Sequence, residues 1–157
     1  MAALLRHLTN REVQLKVCQA LSVITHGYMP ASIRAGIAGA ARAVVGAMRA
    51  HAGDEHIELS AFLVLTGMLH GDAKHPHAEN MIKVWNAGAV ETVVEVMRVH
   101  AANELVQHEA CETMWILCIG IADDDTRRVD ASMIEAVVAT MRGHVEHISF
   151  DYTRARH

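Results

Sequence analysis

The feature that most constrains this chain is that it repeats. The segment from Ala38 to His51 returns from Ala87 to His100, and again from Ala131 to His144. Val13, Ile57 and Val106 share one register, 44 and then 49 residues apart, as do Leu21, Leu65 and Met114, and as do Gly27, Gly71 and Gly120. Extending the register backwards aligns Leu4 with Met48, Met97 and Met141, and His7 with His51, His100 and His144. A unit of this length cannot bury its own apolar face, so neighbouring units must stack into a rod with a continuous core. The register divides the 157 residues into a partial unit over 1–27, units over 28–71 and 72–120, and a partial unit over 121–157. The five extra residues of the longer interval fall in an inserted loop over 72–81, marked by Pro76 and a polar composition.

Each unit reads as two main helices preceded by a shorter helical piece. In the first main helix Ala40, Val44, Ala47 and Met48 have the spacing of one buried face, and Ala89, Val93, Val96 and Met97 repeat it. In the second, Val13, Val17, Leu21 and Ile24 form a stripe matched by Ile57, Ala61, Leu65 and Met68 and by Val106, Ala110, Met114 and Leu117. Asn10, Asp54 and Asn103 fall in one column just ahead of each second helix, where a side-chain oxygen can accept from free backbone N–H groups. Gly27, Gly71 and Gly120 fall where each second helix should end through a left-handed residue. The histidines at 7, 51, 100 and 144 end the first main helices, where an imidazole can bond the last carbonyls and its charged form suits the dipole.

Composition agrees with helices. The chain is 52% hydrophobic but only 4% aromatic, so its apolar mass is Ala, Val, Ile, Leu and nine Met. A formal charge of −4 argues against nucleic-acid binding, and the adjacent pair Arg127 and Arg128 follows the acidic run Asp123 to Asp125, which offsets its field. Cys18, Cys111 and Cys118 form no even set and no CxxC, which points to a reducing compartment, the cytoplasm or an organelle interior, rather than secretion. No apolar run is long enough for a transmembrane helix. The first eleven residues carry Arg6 and Arg11 without an acid, but they also fit the repeat register and are read as folded protein.

The stretch from Asn86 to Leu117, NAGAVETVVEVMRVHAANELVQHEACETMWIL, resembles the armadillo repeat family, with the HEAT repeat a close second. The resemblance covers essentially the whole chain. It implies an all-α, right-handed α-solenoid of about three and a half repeats whose final helix in each unit lines a concave, protein-binding groove. On this reading the groove residues are Leu15, Gln19 and Val23, then Leu59, Leu63 and Gly67, then His108, Glu112, Trp115 and Ile116. The positions where importin-α-like members carry Trp and Asn hold Gln19, Leu63 and Glu112, and Val23, Gly67 and Ile116, so a nuclear-import role is not implied. A helix rotation one residue away from this assignment would make some of these side chains core.

Sites for chemistry are sparse. The stretch from His70 to His77 holds three His and one Asp in a polar insert, a pattern that binds transition metals adventitiously. His108-Glu109 is the one dipeptide of the type that holds iron in deoxyhypusine-hydroxylase-like HEAT proteins, and a single pair does not make that site. Cys18 and Cys111 share a column with Phe62, which marks a buried apolar position rather than a nucleophile. No P-loop, GxGxxG or Ser/His/Asp arrangement occurs. The expectation is therefore a non-enzymatic scaffold or adaptor without metal or cofactor, with Trp115 and Trp85 as candidate hot spots. The alternative is a structural subunit embedded in a larger assembly, or a chain associating end to end, since Met1 to Leu5 offers no polar cap.

Overall fold

The computed structural model describes residues 6–26, 29–70 and 78–119, together with helical residues at 134–135, 137–139 and 142. Among the described residues the fold is all-α, with no strand. Helix α1 spans Arg11–Thr25, α2 Met29–Ile37, α3 Ala40–Ala50, α4 Glu55–Leu69, α5 Ala78–Asn86, α6 Ala89–Val99 and α7 Glu104–Ile119. The short pieces α2 and α5 precede the first main helices α3 and α6, and α1, α4 and α7 are the second main helices. Helix α5 begins at Ala78, so the stretch expected as a loop over 72–81 is helical from that residue on.

Local chemistry accounts for the boundaries. The side chains of Asn10, Asp54 and Asn103 accept from the backbone N–H groups of Val13, Ile57 and Val106 at 3.1, 3.3 and 3.2 Å, which satisfies one orphan donor at the start of each second helix. The first main helices start differently. Gly39 and Gly88 enter α3 and α6 in the left-handed conformation, with φ of 81° and 76°, and neither supplies a side-chain cap. That conformation suits Gly because it carries no Cβ. The glycines expected to end the second helices, at 27, 71 and 120, lie outside the described residues, as do His75, His77, His144 and the run from Asp123 to Arg128.

Packing repeats with the sequence. Helix α4 lies between α1 and α7, α3 packs on α4 and on α6, α2 contacts α1, α3 and α4, and α5 contacts α3, α4 and α6. Eleven of the residues of α4 are buried, including Ile57, Phe62, Leu65 and Met68, because it is flanked by second helices on two sides and by α3 on a third. The faces foreseen for α3 and α6 are buried and broader than foreseen, since Ala41, Ala43, Val45, Val90 and Val94 are buried as well. The stripe foreseen for α1 is not: Val13 and Val17 are half-buried and Ile24 is exposed, while Gln14, Cys18 and Thr25 face inward toward α4. The reason is one-sided packing, for among the described residues no second helix precedes α1.

Candidate functional site

The three second helices lie side by side, and comparing equivalent positions separates the sides of each helix. Residues 14, 58 and 107 face the interior: Gln14, Glu58 and Gln107 are all buried. Residues 23, 67 and 116 face the preceding second helix. An added Cβ at Gly67 would stand 2.7 Å from Thr25 Oγ1 and 3.1 Å from the Thr25 backbone carbon, so α4 meets α1 almost backbone to backbone there. By the same register Ile116 meets α4 and is 5% exposed, whereas Val23 is 77% exposed because no described second helix stands before it. These three residues were expected to line the groove. Gly67 and Ile116 instead lie in helix-to-helix seams, and Val23 occupies the matching open flank.

Thr25, the residue that Gly67 meets, shares its column with Leu69 and Cys118, which marks the side turned toward the following second helix. Thr66 is buried, and its hydroxyl donates to the Phe62 carbonyl at 3.0 Å. Trp115 is 62% exposed, with no second helix after α7 among the described residues. Two further columns are only partly covered. One holds Leu15, Leu59 and His108, half-buried, half-buried and exposed; the other holds Gln19, Leu63 and Glu112, exposed, 39% exposed and half-buried. This strip of six residues is apolar on α4, mixed on α1 with Leu15 beside the exposed Gln19, and polar on α7, and Leu15 and Leu59 also pack against the core.

On α7 the polar end of the strip is a compact group. The ligand-type atoms of His108, Glu109 and Glu112 all lie within 4.8 Å of one another, and His108 Nδ1 stands 3.6 Å from Glu109 Oε1. Among the described residues no Lys or Arg forms an ion pair with either carboxylate.

The histidine column has a structural role, though not with its own helix ends. His51 Nε2 reaches the Leu8 carbonyl at 2.7 Å, and His100 Nε2 reaches Glu58 Oε2 at 2.6 Å, so each ties one unit to the preceding one. Glu58 is fully buried; its other oxygen accepts from the Gly53 N–H at 2.9 Å. Burial pushes its carboxyl above the ordinary range, against the opposing pull of the Gly53 N–H and of His100. Arg49 adds a second tie between units, donating from Nε to Thr92 Oγ1 at 2.9 Å and from Nη2 to the Gly88 carbonyl at 3.0 Å. A cavity of about 150 Å³ beside these ties, between α3 and α6, has Met48, Val96 and Val99 as its apolar walls.

All three cysteines are free thiols. Cys18 is fully buried, and burial pushes its thiol up to about 11, which keeps it protonated and unreactive at neutral pH. Trp85 is half-buried against the core with its indole nitrogen enclosed, which makes it a packing residue of α5. No described helix is long and apolar enough to cross a membrane. Comparison with protein-family models, with curated proteins and with solved structures returned no match.

Proposed function

We propose that the chain is a right-handed α-solenoid of armadillo-like repeats and acts as a non-enzymatic scaffold, holding a protein partner along the strip on its second helices. The observation that carries this reading is the pair of partly covered columns on α1, α4 and α7, where Leu63 is 39% exposed and Leu15 and Leu59, packed on the core, stay half-buried. Apolar side chains held in register on parallel elements form a surface suited to burying a complementary chain. Support for stacking comes from the recurrent packing of α4 against α1 and α7 and of α3 against α6.

The test separates groove from core. Leu63→Asp should abolish association with the partner isolated from the native cell under mild conditions, while helical circular dichroism stays intact. Ile82→Asp, at a residue 52% exposed on α5, should leave association unchanged. Equal loss from both variants, or retention in Leu63→Asp, sinks the groove assignment. Ile116→Asp is not a groove test, because its side chain is buried and the charge would unfold the helix pair.

A second reading, a subunit built permanently into an assembly, rests on the open flank of α1, where Val23 and Ile24 are 77% and 51% exposed. Equimolar partners that survive high salt would favour that reading, and substoichiometric or salt-labile partners favour the adaptor.

A further inference from the structure

We propose that His108, Glu109 and Glu112 form a binding site for a divalent transition ion of the zinc class. His108 and Glu112 are four residues apart on one face of α7, the spacing by which helical metal motifs place two ligands on one ion. Glu109 lies between them in sequence and on the seam side of the helix; its side chain is 18% exposed and turns back to within 3.6 Å of the imidazole. One imidazole and two carboxylates are a borderline donor set, which selects zinc, cobalt or nickel over calcium and magnesium, whose sites are built from oxygen alone.

The geometry needs little adjustment. Donors bound to zinc at about 2.1 Å in a tetrahedron stand about 3.4 Å apart. The three donor atoms lie within 4.8 Å of one another, so side-chain rotations of roughly an ångström close the set without moving the helix. Two carboxylates three residues apart on a helix repel each other, and among the described residues no Lys or Arg ion-pairs with either. A dication removes that repulsion. The equivalent positions in the other units are Leu15, Lys16 and Gln19, and Leu59, Ser60 and Leu63, so the donor set belongs to α7 alone. With three protein donors the ion keeps a position open to solvent on the uncovered face. Ion binding does not depend on the scaffold reading and is measured without any partner.

The experiment is calorimetric titration of the full chain, carrying no histidine tag, with zinc chloride. The expected result is one saturable equivalent per chain. His108→Ala should remove it, since loss of a direct ligand weakens binding by no less than the about 10–100-fold that follows loss of an outer-shell partner. Glu112→Gln should weaken it, and Cys111→Ser should leave it unchanged. All three positions are at least partly exposed, so circular dichroism of each variant should match the parent chain. Absence of a saturable equivalent overturns the site. So does an equivalent that persists in His108→Ala and disappears when His75 and His77 are replaced, which would reveal an adventitious ion on the histidine-rich insert.

Discussion

At the scale of single residues the informative column is Gln14, Glu58 and Gln107. In the outer two units the amide donates to a carbonyl seven residues upstream, Gln14 Nε2 to His7 at 2.8 Å and Gln107 Nε2 to His100 at 2.9 Å. Glu58 cannot donate when ionised, so the middle unit uses a different arrangement: a buried carboxylate paired with His100 from the next unit. Taking a carboxyl and an imidazole out of water is costly, and removing one of two partnered buried groups costs more than the pair itself contributes. His100→Ala should therefore destabilise the chain by about 3 kcal/mol, because it leaves a buried carboxylate with one hydrogen bond. Glu58→Gln should be neutral or stabilising at neutral pH, since the amide can make the bond to the His51 carbonyl that its neighbours in the column make. The raised carboxyl fixes the sign of the pH dependence. Glu58 contributes most below its unfolded value of 4.5, and that contribution is lost as pH rises through its higher folded value. The gain from Glu58→Gln should accordingly shrink toward zero as pH falls to about 4. Urea denaturation of both single variants and the double variant measures all of this, and a double variant no better than His100→Ala would refute the account.

At the scale of elements, what the sequence made legible was local. The caps at Asn10, Asp54 and Asn103 and the buried faces of α3 and α6 follow from spacing within one helix, and the structure has them where the spacing puts them. The start of α5 inside the expected loop was not legible, because a polar, proline-containing stretch reads as loop although Ala78 to Asn80 already carry the helix. The left-handed glycines at 39 and 88 were visible as a repeated Ala-Gly-Ala, but their conformation was not, since a turn between two helices and a helical glycine look alike in sequence. Asp54 adds charge to its capping role. Arg11 donates to it from Nε at 2.5 Å and from Nη2 at 3.2 Å. Burial pushes its carboxyl up, but Arg11 and the Ile57 N–H outweigh burial and hold it below its ordinary 3.8. A lowered carboxyl contributes stability that is complete above 3.8 and lost as pH falls through the folded value. Asp54→Asn keeps the capping oxygen, as the other two members of its column demonstrate, and drops the charge. The variant should be less stable than the parent at neutral pH and indistinguishable from it once the carboxylate is protonated. Thermal melts across that range check this, and a constant gap at every pH would show that the loss lies in the cap rather than the ion pair.

At the scale of the whole molecule the difficulty was rotational. A sequence register states which residues are equivalent, but which side of a second helix meets the preceding helix, the following helix or solvent is fixed only by both neighbours together. That is why Gly67 and Ile116 lie in the seam while Val23, at the equivalent position of α1, is exposed on an open flank. Gly67 tests whether that seam holds the units together. Thr25, which it meets, is not free to yield: its hydroxyl donates to the Leu21 carbonyl at 2.9 Å, and the nearest backbone atom belongs to α1 itself. Gly67→Ala raises helix propensity, which alone would stabilise α4 by about 1 kcal/mol. The new Cβ, however, forces α1 away from α4 along a tightly packed contact, and overpacking of that kind costs about 1–3 kcal/mol. The seam should win. The variant is expected to lower the melting temperature, and hydrogen exchange should show amides of α1 losing protection before those of α4 and α7, because α4 retains α7 on its other side. A variant as stable as the parent, or one that loses protection evenly along the chain, would mean that units are joined through the His51, His100 and Arg49 ties rather than through the close approach of their second helices.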